Sequence, residues 1–167
     1  KICINRKKKI INTEDLTKII DSAKGFKNYK INNSTKVFQA LRIFVNKEIS
    51  ELINGLISAF NLIPIGGIIA VVTFHSIEDK IVKFFFKNYS EFKNSSRYSP
   101  MKVKNNRCFN LKIKKPITPS EEELKLNPPS RSAKLRYAIK ISNECDFEEF
   151  INKFKQLTDI EELNFEK

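Results

Sequence analysis

The segment Pro64-Ile65-Gly66-Gly67, running straight into Ile68-Ile69-Ala70-Val71-Val72-Thr73-Phe74, limits the fold more than any other part of the chain. An unbroken β-branched, apolar run bounded by turn residues offers no polar face to solvent. It reads as a strand buried on both sides, as in a parallel sheet. At His75 the strand gives way to a helix. Ser76 is a natural N-cap, Asp79 completes a capping-box pattern, and Ile77, Ile81, Phe84 and Phe85 mark the apolar face. Upstream, one long helix is predicted from Ser34 or Thr35 to Phe60, with Val37, Leu41, Phe44, Ile49, Ile53 and Phe60 among the residues at helical spacing. Pro64 and Gly66-Gly67 end it by turn chemistry. Helix, glycine turn, apolar strand and capped helix together make α/β architecture.

The flanks are simpler. Thr13, followed by Glu14 and Asp15, is expected to cap a helix whose apolar face is Leu16, Ile19, Ile20 and Ala23, and Gly25 stops it before a polar connection from Phe26 to Ser34. Ser90 to Asn106 lacks apolar periodicity and reads as a mobile loop. Cys108 to Lys115 is a short strand candidate. Thr118-Pro119-Ser120-Glu121 opens a short helix with Pro at its first position, and Asn127-Pro128-Pro129 closes it. Lys134 to Ile141 alternates, with Leu135, Tyr137, Ile139 and Ile141 on one face. The tail from Asp146 to Glu162 carries Phe147, Phe150 and Phe154 at helical spacing, most simply as a packing element.

A length of 167 residues suffices for one ordinary domain with a real core. The chain begins with Lys1 and its one methionine is Met101, which reads as a partial product. No signal peptide opens it, and no run reaches the apolar length of a membrane span. Thirty-one Lys and Arg against 19 acids give +12, which suits a polyanion such as nucleic acid, although a Lys-, Asn- and Ile-rich composition also follows from an AT-rich genome. Cys3, Cys108 and Cys145 fit no metal spacing and His75 is the single histidine, so no metal site is expected and the cysteines read as reduced thiols.

Several segments, in this order, resemble one family. They are Val37-Phe38-Gln39-Ala40-Leu41-Arg42-Ile43 with Val45-Asn46-Lys47-Glu48; Gly66-Gly67 leading to Phe74-His75-Ser76-Ile77-Glu78-Asp79-Lys80-Ile81-Val82-Lys83; Lys115-Pro116-Ile117 with Pro119-Ser120-Glu121-Glu122-Glu123; and Asn127-Pro128 followed by Arg131-Ser132-Ala133-Lys134-Leu135-Arg136. Together they resemble the C-terminal part of the bacterial small-subunit rRNA cytosine-N4 methyltransferases, the RsmH or MraW family. The resemblance implies the C-terminal half of a class I, Rossmann-like α/β methyltransferase sheet, preceded by the end of an inserted helical substrate-recognition domain. On that mapping residues 1–30 end the insert, 31–142 re-enter the sheet with an antiparallel closing pair, and 143–167 form an amphipathic tail beyond the family pattern. It further implies S-adenosyl-L-methionine (SAM) as methyl donor, small-subunit rRNA or the assembling small subunit as partner, and a cytoplasmic site of action. The family's Gly-rich SAM loop would lie upstream of Lys1. Gly66-Gly67 reads as a helix-to-strand turn, and Lys80 stands where the family usually has Arg.

Methyl transfer to the exocyclic amine of cytosine requires alignment of amine, methyl and sulfur, and an unstacked base. It requires no covalent nucleophile. Ligands of open α/β sheets sit beyond the carboxyl ends of the strands, so His75 and Ser76 are the candidates for holding the base. Each has a structural alternative: His75 as a helix-entry residue bonded to backbone, Ser76 with Asp79 as a capping box. Arg42, Lys80, Arg131, Ser132, Lys134 and Arg136 are candidates for rRNA contact, joined by Lys102, Lys104 and Arg107. Against this, Arg42 suits an ion pair, for example with Glu78, and Glu78 and Lys80 suit a solvated helix face or a mutual pair. A hydrolase triad from His75, Ser76 and Asp79 fails, because triad members converge from separate parts of a fold and there is no GxSxG elbow. A non-catalytic RNA-binding module or a decayed methyltransferase is the stronger rival. By itself the chain is expected neither to transfer methyl groups nor to bind SAM.

Overall fold

The computed structural model describes residues 10, 12–24, 34–91 and 107–163, in two compact units, 1–48 and 49–167. Gly25, Cys3, Lys102, Lys104, the connection at 26–33 and most of the Ser90–Asn106 segment lie outside the described residues.

In the first unit, α1 (Thr13–Lys24) starts one residue earlier than its sequence suggests: Asn12, not Thr13, supplies the cap, its Oδ1 accepting the Asp15 N–H at 2.9 Å. Helix α2 (Thr35–Asn46) follows Ser34, which occupies the N-cap position without a side-chain capping bond. The long predicted helix is in fact two. Lys47 takes the left-handed conformation, φ 52° and ψ 39°, and ends α2; α3 (Glu48–Leu62) begins at the next residue. A left-handed lysine costs about 1–2 kcal/mol. Two arrangements offset it. Glu48 takes a forked pair from Arg42, Nε at 2.7 Å and a terminal nitrogen at 3.0 Å. Farther along the chain, in the second unit, the Glu161 carboxylate accepts the Ile49 and Ser50 N–H groups at 2.9 and 2.8 Å and the Ser50 hydroxyl at 2.6 Å. A helix start has orphan amides and a positive dipole end, and a buried carboxylate satisfies both.

The far end of α3 carries the opposite charge. The Lys140 ammonium, 3% exposed as a residue, donates to the Phe60 and Ile63 carbonyls, each at 2.8 Å, and lies 4.3 Å from the Phe60 ring centroid. Gly66 (φ 87°) then turns the chain into β1 (Ile68–Thr73). A Cβ on Gly67 would sit 2.9 Å from the Pro64 carbonyl oxygen, so the second glycine is required by space.

Strand β1 pairs antiparallel with β3 (Lys134–Lys140), and β3 pairs antiparallel with the two-residue β2 (Phe109–Asn110), giving the order β1-β3-β2. The antiparallel closing pair is as expected, although β2 is far shorter than Cys108–Lys115. One expectation about the sheet is not met. Among the described residues β1 has an antiparallel neighbour and no parallel one, and it is not buried on both faces: Ile68 is 59% and Val72 53% exposed. In β3 the buried residues are Ala138 and Lys140, on the face opposite Leu135, Tyr137 and Ile139. The register gives the two faces their character. Ile68, Ala70 and Val72 stand opposite Ile139, Tyr137 and Leu135, forming an apolar face, while Ile69, Val71 and Thr73 oppose Ala138, Arg136 and Lys134. The helices cover the second face, where the charges of Arg136 and Lys140 are matched by specific partners.

Helix α4 (Ser76–Asn88) buries Ile81, Val82, Phe85 and Phe86. The tail helix α6 (Glu148–Glu161) packs on it, with Phe150 and Phe154 buried, so the tail is part of the core. Cys108 and Cys145 form a disulfide with Cα atoms 5.9 Å apart, where free thiols were expected; the bond ties β2 to the segment entering α6. The short helix α5 (Glu121–Leu126) is capped by Ser120, which accepts the Glu123 N–H at 3.2 Å, so Pro119 precedes the helix instead of opening it. A 3₁₀ turn (Pro128–Ser132) leads into β3.

Tyr89, 1% exposed, accepts the Phe150 N–H at 3.2 Å. Burial pushes its hydroxyl up to about 12; the backbone bond lowers it, and the nearby Glu149 and Asp146 carboxylates raise it again. A raised tyrosine contributes stability that is complete below its unfolded pKa, about 10, and is lost as pH rises through the folded value. Tyr89→Phe should therefore lose stability at neutral pH, by about 1 kcal/mol for the missing bond, and show a weaker alkaline decline than the parent. Urea unfolding between neutrality and strong alkali checks both.

Candidate functional site

The carboxyl end of β1 meets the start of α4, and local chemistry there is tightly closed. His75, in extended backbone (φ −137°, ψ 164°), is the N-cap, one residue before the predicted Ser76. Its Nδ1 accepts the Glu78 N–H at 3.3 Å, which puts the ring proton on Nε2, 3.1 Å from Glu78 Oε1. Glu78 Oε2 in return accepts the N–H groups of Phe74 at 2.8 Å and His75 at 3.2 Å. This is a reciprocal capping box with histidine in the usual serine role. Glu78 is therefore neither a solvated face residue nor a partner of Lys80. Ser76, released from capping, is exposed at the first position of α4.

Asp79, expected to close the box, instead reaches across to β3. Its Oδ1 accepts from Arg136 Nε at 2.7 Å, and its Oδ2 from Lys134 Nζ at 3.2 Å and a second Arg136 nitrogen at 3.4 Å. The Asp79 and Arg136 side chains are 13% and 10% exposed. Burial alone would raise the Asp79 carboxyl; the bonds and charges of Arg136 and Lys134 outweigh it and hold the group below the usual carboxylate range. Arg136 also donates to the Lys114 carbonyl at 3.3 Å.

Of the residues singled out from sequence, His75, Ser76, Lys134 and Arg136 are thus gathered at one end of the sheet, with Asp79 between them. Lys80 is exposed on α4, and Arg131 and Ser132 are exposed in the 3₁₀ turn just before β3. Arg42 belongs to the first unit, where it pairs with Glu48. The organising role of Asp79 was missed. The signal for it was the alternation Lys134, Arg136 on a strand face that had to be covered.

The Gly66-Gly67 turn is a helix-to-strand turn. The Gly66-Gly67 turn lies at the opposite end of β1 from His75, and its amides are already used: Gly66 N–H donates to the Lys140 carbonyl at 2.8 Å and Gly67 N–H to the Pro64 carbonyl at 3.0 Å.

Comparison with known proteins agrees with the motif reading. Among curated relatives, ribosomal RNA small subunit methyltransferase H of Sulfurihydrogenibium sp. is 43% identical over 138 residues, covering 81% of this chain and 42% of that protein. The same-named proteins of Ehrlichia canis and Ehrlichia chaffeensis are 46% and 47% identical, covering 81% and 84% of this chain and 44% and 45% of theirs. The chain therefore spans less than half the length of these relatives. No helix among the described residues is long and apolar enough to cross a membrane. With the MraW methylase family matched over residues 1–141, which takes in the β1–α4 junction and the Arg131–Arg136 run, the chain belongs to that family.

Proposed function

We propose that this chain is the C-terminal half of a cytoplasmic SAM-dependent methyltransferase that modifies the N4 amine of a cytosine in small-subunit rRNA. The family match over residues 1–141 carries the reading. On it, residues 1–30 end an inserted helical domain, residues 31–142 complete a Rossmann-like sheet, and residues 143–167 are an added tail. The apolar face of β1 supports the larger sheet, since Ile68, Val72 and Phe74 are each more than half exposed. Such a row is costly unless something further covers it. SAM would supply the methyl group. Its cradle is proposed to lie in the part of the relatives that the match does not cover. The chain alone is then expected to show no heat of SAM binding by isothermal titration; tight binding would contradict this division of labour.

His75 and Ser76 are proposed to position the substrate base at the carboxyl end of β1, with Arg131, Ser132, Lys134 and Arg136 beside it, and Arg42 and Lys80 as further RNA contacts. His75 does two jobs on this reading, so the variants must separate them. His75→Asn keeps a good cap and should hold stability within about 0.5 kcal/mol, whereas His75→Ala loses about 1 kcal/mol. Both should lower methyl incorporation by the full-length protein by about tenfold or more. If His75→Asn methylates normally, His75 is a cap and nothing else.

A further inference from the structure

A cavity of about 390 Å³ opens between α4, β3 and the segment after Arg107, and of the predicted site residues only Arg107 and Arg136 line it. Lys83, Lys87, Arg107 and Lys114 line it, with Glu91 as the sole carboxylate among its lining residues. Arg136 is also in its wall, but Asp79 already neutralises that charge. Lys83, Lys87 and Lys114 then set three ammonium groups against the single carboxylate of Glu91. Lys83 and Lys87 sit one turn apart on the exposed side of α4, whose other side is buried in the core, so neither is needed for packing. Leu111 and Ile113 add apolar wall to the same cavity, and Ile113 is 45% exposed.

We infer that this cavity holds the backbone of a single-stranded segment of RNA, with a base against the Leu111 and Ile113 wall. Closely spaced cations facing one small volume repel each other unless an anion joins them, and phosphodiesters supply anions at a matching spacing. The apolar wall is wasted on free phosphate and useful to a base, as in other grooves that take single strands. Position favours the same occupant. The cavity ends at Arg136, which is bound to Asp79, one turn of helix from His75. A strand lying there would be led toward the end of the sheet proposed for the target cytosine. The inference rests on the rRNA reading for the identity of the strand, and its test does not depend on methyl transfer.

The test is fluorescence anisotropy of the whole 167-residue chain with a labelled single-stranded RNA of about ten nucleotides, over a KCl series. The triple variant Lys83→Gln, Lys87→Gln, Lys114→Gln should raise Kd by about tenfold or more. It should also flatten the slope of log Kd against log salt by about 2, as expected when three single-strand phosphate contacts are lost. A control triple at the exposed Lys125, Lys153 and Lys155 removes the same charge and should shift Kd by less than about threefold. Circular dichroism melts verify that both triples fold. Equal weakening by the two triples would mean diffuse charge attraction and overturn the inference. So would absence of RNA binding by the parent at low salt, or displacement of the RNA by charge-equivalent inorganic tripolyphosphate, which would make the cavity a phosphate site. Loss of affinity in a protein whose cells lack N4-methylcytosine dependence would leave the cavity standing and the methylation reading refuted.

Discussion

Asp79→Ala is expected to destabilise the chain by about 3 kcal/mol, because it removes the one carboxylate that answers both Arg136 and Lys134. Most of that cost falls on Arg136, whose side chain is 10% exposed; Lys134, at 40%, regains water and contributes little. The isosteric Asp79→Asn gives the cleaner pH experiment. The Asp79 pKa is lowered in the folded chain, so its contribution is complete above the unfolded carboxylate value of about 4 and is lost as pH falls through the lower folded value. The gap between parent and Asp79→Asn should therefore be full at neutrality and close in acid below about pH 4. Urea midpoints over that range decide the matter. A gap that stays constant into acid would mean the carboxylate charge is not what holds β3 to α4.

The second large effect lies at Phe85, which is fully buried. Its ring centroid is 4.9 Å from that of Phe150, 5.3 Å from Phe109 and 5.4 Å from Phe147, so it joins α4 to β2 and to the tail helix at once. Phe85→Ala should cost about 3–5 kcal/mol through lost burial and an unfilled cavity, while Phe85→Leu, nearer in volume, should cost about 1–2 kcal/mol. The comparison also tests whether the tail belongs to the core. If α6 were a loosely attached appendage, Phe150→Ala would be nearly silent; on the present packing it approaches the cost of Phe85→Ala.

The parts legible in the sequence were those set by local chemistry. The turn at Gly66-Gly67, the strand after it and the helix beginning near His75 follow from spacing and turn residues alone. The errors share a cause, which is that distant residues decide local choices. Helical periodicity runs unbroken through Lys47, and the break there is stabilised from Glu161, more than a hundred positions away. The alternation in β3 gives its apolar face, but not that Lys140 and Arg136 on the other face are held by partners on α3 and α4, which no pattern of hydrophobicity encodes. Two caps lie one residue before the serine or threonine that the pattern suggests: Asn12, whose side chain accepts the Asp15 N–H, and His75, which holds extended backbone. At the candidate site, position was legible and pairing was not. His75 and Ser76 stand at the end of β1 as the pattern implies, yet the partners of Glu78 and Asp79 differ from the pattern-based assignments.

The central claim is the reaction itself, and mass spectrometry of small-subunit rRNA nucleosides from cells with and without the intact gene tests it most directly. The account predicts that N4-methylated cytosine disappears with the gene and returns with its reintroduction. Unchanged N4-methylcytosine in the absence of the gene would contradict it, and would leave an RNA-binding protein that has kept the family's fold without its chemistry.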